Sequence, residues 1–289
     1  MNKRIAVLLL CMLLAVTTVS AAVPKARTQD IRDLLVWVPQ RLAELTADYE
    51  RIVTREIYGK SELGRDLEVY TLRQPGVEKP SAGIMMTFVL HGYEEYFDQD
   101  GVYLAQLAVQ MIEHYCKHPD QLGDVELIIV PVANPDGMNK VNGSDSWFGR
   151  AQSRNIDMNR DFRNGYCMAK ESQALRDLLK DRKPQVLIDY HGWLECVIGD
   201  ADLSYMMTEI YGLRRYSENR GIQQGYWTGY AHTLGLRTLL VEFKSIRSID
   251  PEKSVQFTNR IIAQYAPADM PEQPDTLPAV IKDPVWQTA

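Results

Sequence analysis

Four short, continuously apolar runs constrain the fold of this chain most strongly. They occupy residues 84–90, 127–132, 186–190 (with Asp189 as an interruption) and 238–241. Runs of this length and composition are typical of strands that are buried on both faces. Segments with a helical recurrence of apolar residues separate them, at residues 102–116, 169–181 and 205–220, and another follows at 255–265. This alternation predicts an α/β fold.

The predicted architecture is a single domain with a mixed, largely buried central sheet covered by helices on both faces. We assign this domain to residues 22–265. At its start, residues 30–58 also carry a helical apolar pattern, which we expect to be broken at Pro39. The last segment, residues 266–289, contains five prolines and little periodicity, so it is predicted to be an extended or disordered tail.

A polar residue follows each of the four apolar runs. They are His91, Asn134 in an Asn-Pro-Asp-Gly turn, His191 and Glu242. Open α/β sheets bind ligands outside the carboxyl ends of their strands. The four side chains are therefore expected to converge on one crevice.

The N-terminus is typical of an export signal. Lys3 and Arg4 precede an apolar stretch at residues 5–16, and small residues at 19–21 form a cleavage site. We expect the mature protein to begin after residue 21 and to be periplasmic or secreted. An uncleaved membrane anchor is the alternative, although the apolar stretch is shorter than the ~20 residues that span a bilayer. Cys11 lies within that stretch and is not interpreted as a lipid-attachment site.

The charge and the cysteine content of the chain argue against two kinds of function, nucleic-acid binding and a thiolate zinc site. Removal of the signal leaves 30 basic against 38 acidic residues, a formal net charge of −8, which disfavours nucleic-acid binding. The three remaining cysteines, Cys116, Cys167 and Cys196, form no Cys-x-x-Cys pair, so a thiolate zinc site is not predicted. One disulfide among them and three free buried thiols are both compatible with the sequence.

His91 and Glu94 form a His-x-x-Glu pair directly after the first run, and such a pair can present an imidazole and a carboxylate to one metal ion. Alone it is weak, because polar turns after strands often hold both residues without a metal. His191 after the third run supplies a third ligand. Two histidines and one glutamate leave an open position on zinc, which is the arrangement of a catalytic site.

The order of these motifs resembles the zinc carboxypeptidase family. His91-x-x-Glu94 is followed by the turn at residues 134–137, the segment Asp157-Met158-Asn159-Arg160-Asp161-Phe162, His191-Gly192 and Glu242. Upstream, residues 58–67 are similar to the motif at which this family enters its first strands. The resemblance covers most of the mature chain, from residue 58 to residue 242. It implies a zinc metallocarboxypeptidase with one zinc ion and a peptide substrate that has a free terminal carboxylate.

The resemblance also implies roles for individual residues. His91, Glu94 and His191 would hold the zinc, and Glu242 would act as general base. Asn159 and Arg160 match the residues that bind the substrate's terminal carboxylate, a task that suits the planar fork of arginine. Each has a structural alternative: Glu242 as a solvent-facing strand end, and the Asn-Arg pair as an ordinary surface loop.

The remaining matches are less specific. Arg150 best matches the arginine that stabilises the oxyanion, with Arg154 as a competitor because the segment between Arg150 and Asn159 is short. Asp157 matches a carboxylate that orients a zinc-binding histidine. Tyr226 and Tyr230 are candidates for the tyrosine that covers the substrate, and each could instead be core packing.

Residues 219–241, where we expect the specificity loop, contain no acidic residue but include Arg220, His232 and Arg237. A pocket for a terminal lysine or arginine needs a buried carboxylate, so aromatic, aliphatic or acidic terminal residues fit better. The compact chain with its export signal also resembles bacterial members that trim cell-wall peptides, which is an analogy only.

Two further alternatives belong to other function classes. Acyl-amino-acid hydrolases related to aspartoacylase share the zinc ligands but normally carry an added β-rich domain, for which the 47 residues after Glu242 are too few. An inactive peptide-binding domain would be indicated by loss of a ligand or of the base. His91, Glu94 and Glu242 are all present, which disfavours this alternative.

Overall fold

A single eight-stranded mixed sheet forms the centre of the molecule. The computed structural model describes residues 29–94, 100–140, 149–216 and 225–265. The strands within these ranges are β1 (Val53–Lys60), β2 (Asp66–Leu72), β3 (Ala82–Phe88), β4 (Val125–Val130), β5 (Val186–Gly192), β6 (Cys196–Gly199), β7 (Arg214–Tyr216) and β8 (Arg237–Phe243).

The strand order is β1-β2-β4-β3-β5-β8-β6-β7. The four central neighbours, β4, β3, β5 and β8, are mutually parallel. They are also the four strands predicted from apolar runs, because a parallel strand buried on both faces needs apolar side chains on both. The outer pairings β1-β2, β2-β4 and β6-β8 are antiparallel.

Helices cover both faces of the sheet, as predicted. Their bounds are α1 (Gln29–Asp48), α2 (Val102–Lys117), α3 (Pro135–Met138), α4 (Lys170–Arg182), α5 (Ala201–Tyr211), α6 (Trp227–Thr233) and α7 (Pro251–Ile262), with short 3₁₀ turns at Pro119–Leu122, Met158–Arg160 and Ile246–Ser248. Apolar side chains of α1, α2, α5 and α7 pack in one core cluster, and those of α4 and α6 pack in a second. The α/β fold and its two-sided covering are confirmed.

Three details of the predicted helices were wrong. Helix α1 continues through Pro39. Pro39 is on the exposed side of the helix, where water can meet the carbonyl that its missing N–H leaves unpaired. The pattern at residues 53–58 belongs to strand β1, and the predicted helix at residues 205–220 ends at Tyr211 because Gly212 adopts a left-handed conformation with φ +74°.

Cys116, Cys167 and Cys196 are buried and free, so no disulfide forms among them. Among the described residues, no helix is long and apolar enough to cross a bilayer. The predicted export signal at residues 1–21 and the proline-rich tail at residues 266–289 lie outside the described residues, and the domain boundaries stay predictions.

Candidate metal centre and catalytic site

The two predicted histidine ligands are brought together by neighbouring parallel strands. His91 follows the end of β3 and His191 lies near the end of β5, which pairs with β3. Their ring centroids are 5.0 Å apart. Glu94 completes the group: one potential ligand atom from each of the three residues lies within 4.8 Å of the other two. All three side chains are buried.

The donor chemistry of this group fits a zinc ion. His91 Nδ1 and Glu94 Oε1 are buried without a hydrogen-bond partner among the described residues. His191 Nδ1 lies 3.2 Å from Glu94 Oε1. Buried polar atoms normally have hydrogen-bond partners. Nitrogen and oxygen atoms that lie close together without such partners are therefore the expected feature of a metal site.

The two histidines are in opposite electrostatic environments. Burial, with the positive charges of Arg150, His191 and Arg160, lowers the pKa of His91 well below its usual value. Neutral imidazole is the form that binds a metal. Burial also disfavours a charged His191, but the carboxylates of Asp189 and Glu94 more than offset it and raise the pKa of His191 well above its usual value.

Three glycines allow the backbone segments around the site to meet. A Cβ on Gly92 would overlap both the backbone of Gly137 and the carbonyl oxygen of Gly149. A Cβ on Gly137 would lie 2.7 Å from the same Gly149 oxygen. We call Gly92, Gly137 and Gly149 the glycine junction. It joins the His91–Glu94 turn, the Asn-Pro-Asp-Gly turn and the loop that carries Arg150.

Asn134 and Asp136 hold the same junction with polar contacts. Asn134 Nδ2 donates to the carbonyl oxygens of Leu90 at 3.3 Å and Arg150 at 3.2 Å. Asp136 accepts from Ser61 Oγ at 2.8 Å and from Arg65 Nη1 at 2.9 Å. The upstream motif around residue 61 is thus connected to the turn beside the metal centre.

Glu242 lies beside the metal centre at the end of β8. Its register partner on β5 is His191, so both side chains project from the same face of the sheet. Burial raises the pKa of Glu242 to about 7; Glu94 and Asp189 add to this effect, whereas His191 and Arg150 oppose it. Its Oε2 atom is buried and has no hydrogen-bond partner in the described part of the chain. A carboxylate in this environment can gain and lose a proton near neutral pH.

Arg150 and Arg154 occupy different places. Arg150 Nη1 donates to the Glu94 carbonyl oxygen at 2.9 Å and lies 3.3 Å from Glu94 Oε2. Arg154 is more exposed, and its Nη1 lies 3.3 Å from Glu62 Oε1. Of the two arginines, Arg150 is therefore the one in contact with the metal centre.

Asn159 and Arg160 lie in the 3₁₀ turn that begins after Asp157. The Arg160 guanidinium stacks 4.2 Å from the centre of the Tyr226 ring, and its Nη1 donates to the Asn159 carbonyl oxygen at 2.7 Å. Asn159 Oδ1 accepts from the backbone N–H of Trp227 at 3.0 Å. With that oxygen engaged, Nδ2 is the group through which Asn159 could donate to a ligand.

The two candidate tyrosines, Tyr226 and Tyr230, differ in exposure and in surroundings. Tyr226 is partly exposed beside Arg160. Tyr230 is only 6% exposed and packs against Phe162 and Trp227 in the core, so the prediction that it binds substrate is not supported. Its apolar position on α6 gives it the packing role that we weighed as the alternative.

Asp157 is near His91 but is not hydrogen-bonded to it. Its Oδ1 accepts from the backbone N–H of Asn159 at 2.9 Å and lies 3.8 Å from His91 Nδ1. The sequence interpretation missed a closer carboxylate, Asp189, whose Oδ2 lies 2.7 Å from His191 Nε2. The signal was available, since residues two apart on a strand share a face and Asp189 precedes His191 by two.

Comparison with known proteins identifies the family. The profile of the zinc carboxypeptidase family, peptidase M14, matches residues 38–198, more than half of the chain. The chain belongs to the zinc carboxypeptidase family. The matched segment includes the three potential zinc ligands, Arg150 and Arg160, whereas Glu242 lies beyond it.

Two solved structures share the fold of this chain, and one curated protein is similar in sequence. Carboxypeptidase A from Helicoverpa armigera superposes with a TM-score of 0.60 at 17% identity, covering 78% of this chain and 71% of that chain. A metallo-carboxypeptidase from Burkholderia cenocepacia gives a TM-score of 0.55 at 17% identity, covering 78% and 67%. Bacteriocin BCN5 of Clostridium perfringens is 27% identical over 206 residues, which are 64% of this chain but only 22% of the bacteriocin.

Proposed function

We propose that this protein is an exported zinc-dependent metallocarboxypeptidase that hydrolyses the C-terminal amide bond of peptides. One observation carries the proposal: His91, Glu94 and His191 converge beside Glu242, with Arg150 in contact with Glu94. Arg160 is close enough for its charge to act on His91. Family membership supports both the metal and the reaction.

Glu242 supplies the proton transfers that amide hydrolysis needs. A zinc ion held by His91, Glu94 and His191 would polarise the scissile carbonyl and acidify a water molecule. The Glu242 carboxylate takes a proton from the attacking water and returns it to the leaving amine nitrogen. Its pKa near 7 favours both steps at neutral pH, because neither the protonated nor the ionised form is strongly preferred.

The two arginines divide the substrate's negative charges between them. Arg160 is held by Tyr226 and by the Asn159 carbonyl, and its remaining donors can bind both oxygens of a terminal carboxylate. Arg150 contacts Glu94 and would stabilise the oxyanion as the carbonyl is attacked. This division favours removal of a terminal residue over internal cleavage.

Residues of the sheet beneath Glu242 favour an apolar terminal side chain in the substrate. Leu240 shares the face of Glu242, and its partners in register are Ile198 on β6 and Asp189 on β5. Asp189 is the carboxylate of this row, and its oxygens are engaged by Thr87 and His191. It is therefore not available to pair with a basic substrate side chain. Arg237 is bound to Asp200 and does not contribute to this row.

A cleavage survey by mass spectrometry tests the proposal. Purified protein lacking residues 1–21, with and without a chelator, is incubated with a mixed library of free-acid peptides and with isolated cell-wall muropeptides. Chelator-sensitive loss of single C-terminal residues is expected. Loss confined to muropeptides would restrict the substrate to cell-wall peptides. Absence of cleavage in zinc-loaded protein would contradict the carboxypeptidase proposal and favour an acyl-amino-acid hydrolase or an inactive binding domain.

Export is tested separately, because it depends only on residues 1–21. The full chain is expressed in a Gram-negative host, and the N-terminus of the recovered protein is determined by mass spectrometry. A periplasmic product beginning at residue 22 or 23 is expected. A full-length product that stays in the membrane fraction would contradict cleavage.

A further inference from the structure

A buried chain of hydrogen bonds reaches the metal centre from behind His191. His191 Nε2 lies 2.7 Å from Asp189 Oδ2, and Thr87 Oγ1 donates to Asp189 Oδ1 at 2.6 Å. Trp227 Nε1 in turn donates to Thr87 Oγ1 at 3.2 Å. Asp189, Thr87 and Trp227 have no exposed surface. We call these three residues the Asp189 network.

The network is a consequence of the strand register. Thr87 on β3 and Asp189 on β5 are register partners in neighbouring parallel strands, so their side chains lie side by side on one face. His191 follows Asp189 by two residues and projects from the same face. Trp227 is the first residue of α6, which covers this face. The sheet therefore fixes the relative positions of all the members.

The chemistry of the network selects one form of His191. An ionised carboxylate can only accept, so the proton between His191 and Asp189 belongs to Nε2. Nδ1 is then the nitrogen left to bind a metal ion, with release of any proton it carries. It is the one that faces Glu94, 3.2 Å from Oε1. Thr87 has a single O–H, and its donation to Asp189 fixes the carboxylate from the other side.

The contrast with His91 strengthens this interpretation. Among the residues that the structure describes, the carboxylate nearest to His91 is Asp157, at 3.8 Å, which is beyond hydrogen-bond distance. His191 is thus the histidine whose orientation is fixed by a direct carboxylate contact. Carboxylates that bind the outer nitrogen of a metal-ligating histidine orient the ring and raise its basicity.

We propose that Asp189, held by Thr87 and Trp227, is a positioning residue that presents Nδ1 of His191 to the metal ion. This inference rests on the proposed zinc site but goes beyond it, because it assigns a function to three residues that contact neither the metal nor the substrate. The Asp189 network thereby raises the affinity of the site for the metal ion.

Zinc affinity is the deciding measurement, made by competition with a chromophoric chelator on folded, metal-free protein. Asp189→Asn is expected to weaken zinc binding about 10- to 100-fold. Thr87→Val removes only the hydroxyl and is expected to weaken it about 3- to 10-fold, whereas Thr87→Ser keeps the hydroxyl and restores wild-type affinity. The visible spectrum of the Co²⁺ form is expected to change in Asp189→Asn and Thr87→Val but not in Thr87→Ser.

Glu126→Gln is the matched control. Glu126 is also a buried carboxylate of a central strand, but it pairs with Arg73 at the opposite end of the sheet. Loss of its charge is expected to lower stability without altering zinc affinity. Equal affinities in wild type and Asp189→Asn would overturn the inference. Equal losses of zinc affinity in Thr87→Val and Thr87→Ser would also overturn it. This second comparison tests the inference if Asp189→Asn does not fold. Wild-type protein without zinc affinity would contradict the proposed function itself.

Discussion

Glu242, the proposed general base, is deeply buried. The residue is only 9% exposed and has charges of both signs around it. Replacement by glutamine keeps the shape of the side chain but removes its ability to take a proton. Glu242→Gln is therefore expected to lower kcat by about 10²- to 10⁴-fold while leaving one zinc ion per chain.

Steady-state kinetics and metal analysis of the same preparation check this prediction. His191→Ala is the companion variant and is expected to lose both zinc and turnover, since it removes a ligand. Retained turnover in Glu242→Gln would remove the general-base assignment.

Arg160 is predicted to recognise the free carboxylate of the substrate. Amidation of the peptide's C-terminus removes the negative charge that pairs with the guanidinium and leaves Arg160 without its carboxylate partner. The expected cost is about 2 to 4 kcal/mol of transition-state binding, or about 30- to 1000-fold in kcat/KM. The measurement compares free-acid and amidated forms of one peptide.

Arg160→Lys distinguishes fork geometry from charge alone. A lysine keeps the charge but loses the paired donors and the stacking on Tyr226, so most of the discrimination between the two peptides is expected to disappear. If wild-type enzyme cleaves both peptides at equal rates, Arg160 is not a carboxylate clamp and internal cleavage becomes the better interpretation.

At the scale of elements, the glycine junction determines how the loops meet. An added methyl group at Gly92 would overlap the backbone of Gly137 and Gly149, neither of which can rotate away. Gly92→Ala is therefore expected to displace the His91–Glu94 turn and to destabilise the protein by more than about 3 kcal/mol. Denaturant unfolding and zinc titration measure the two effects. Gly64→Ala is the comparison for backbone strain alone, because Gly64 has φ +82° and no atom of the described residues lies within 4 Å of an added Cβ. An equal loss in both variants would contradict the overlap argument.

Glu171, at the start of helix α4, is a buried carboxylate away from the metal centre. Its Oε1 accepts from the backbone N–H of Glu62 at 3.0 Å, while Oε2 is buried and has no hydrogen-bond partner among the residues described by the structure. Burial raises the pKa of Glu171 to about 7. Between the unfolded-state pKa of about 4.3 and this value, the folded protein holds the proton longer than the unfolded chain. Stability is consequently expected to fall as the pH rises through that window.

Glu171→Gln cannot ionise and is expected to lack this part of the pH dependence. It should gain on the order of 1 to 3 kcal/mol relative to wild type between pH 5 and pH 8. Free energies of unfolding from urea titrations at the two pH values provide the comparison. Parallel changes in both proteins would show that Glu171 does not titrate in this range.

Metal binding is expected to stabilise the whole molecule, because the ligands come from the turn after β3 and from β5. At zinc concentrations about 100-fold above Kd, the gain is about 2.7 kcal/mol, which corresponds to a rise in Tm of about 5 to 10 °C for a chain of this size. Calorimetry with zinc and with a chelator measures it. His191→Ala is expected to melt at the same temperature under both conditions, and an identical zinc effect in that variant would place the stabilising ion elsewhere.

The sequence was most informative where the environment is most uniform. β3, β4, β5 and β8 are buried on both faces, and their apolar runs predicted them directly. The outer strands were not predicted, since β1 and β7 are largely exposed and carry mixed polar residues without a clear period. Pro39 misled the prediction because the consequence of a proline in a helix depends on whether its turn faces solvent, which the sequence alone does not state.

Some residues of the site could be predicted from local sequence motifs, whereas others depend on contacts between residues that are distant along the chain. His91, Glu94, His191 and Glu242 could be proposed from motifs because the first two lie in the turn after β3 and the last two lie near the ends of β5 and β8. Asp189 was missed as a partner of His191, since its importance depends on Thr87 and Trp227, which are distant along the chain. Arg150 and Arg154 could be separated only by their ion pairs, with Glu94 and Glu62 respectively.

The glycine junction has a consequence for engineering. These segments meet through backbone atoms, so no side chain at the contact can be replaced by a larger or smaller one. The spacing between the His91–Glu94 turn and the Arg150 loop is therefore fixed by the backbone. Under the proposed function, altered specificity is therefore better sought at positions outside this junction. Ile198 on β6 and Leu240 on β8, which pair in register, are two such positions.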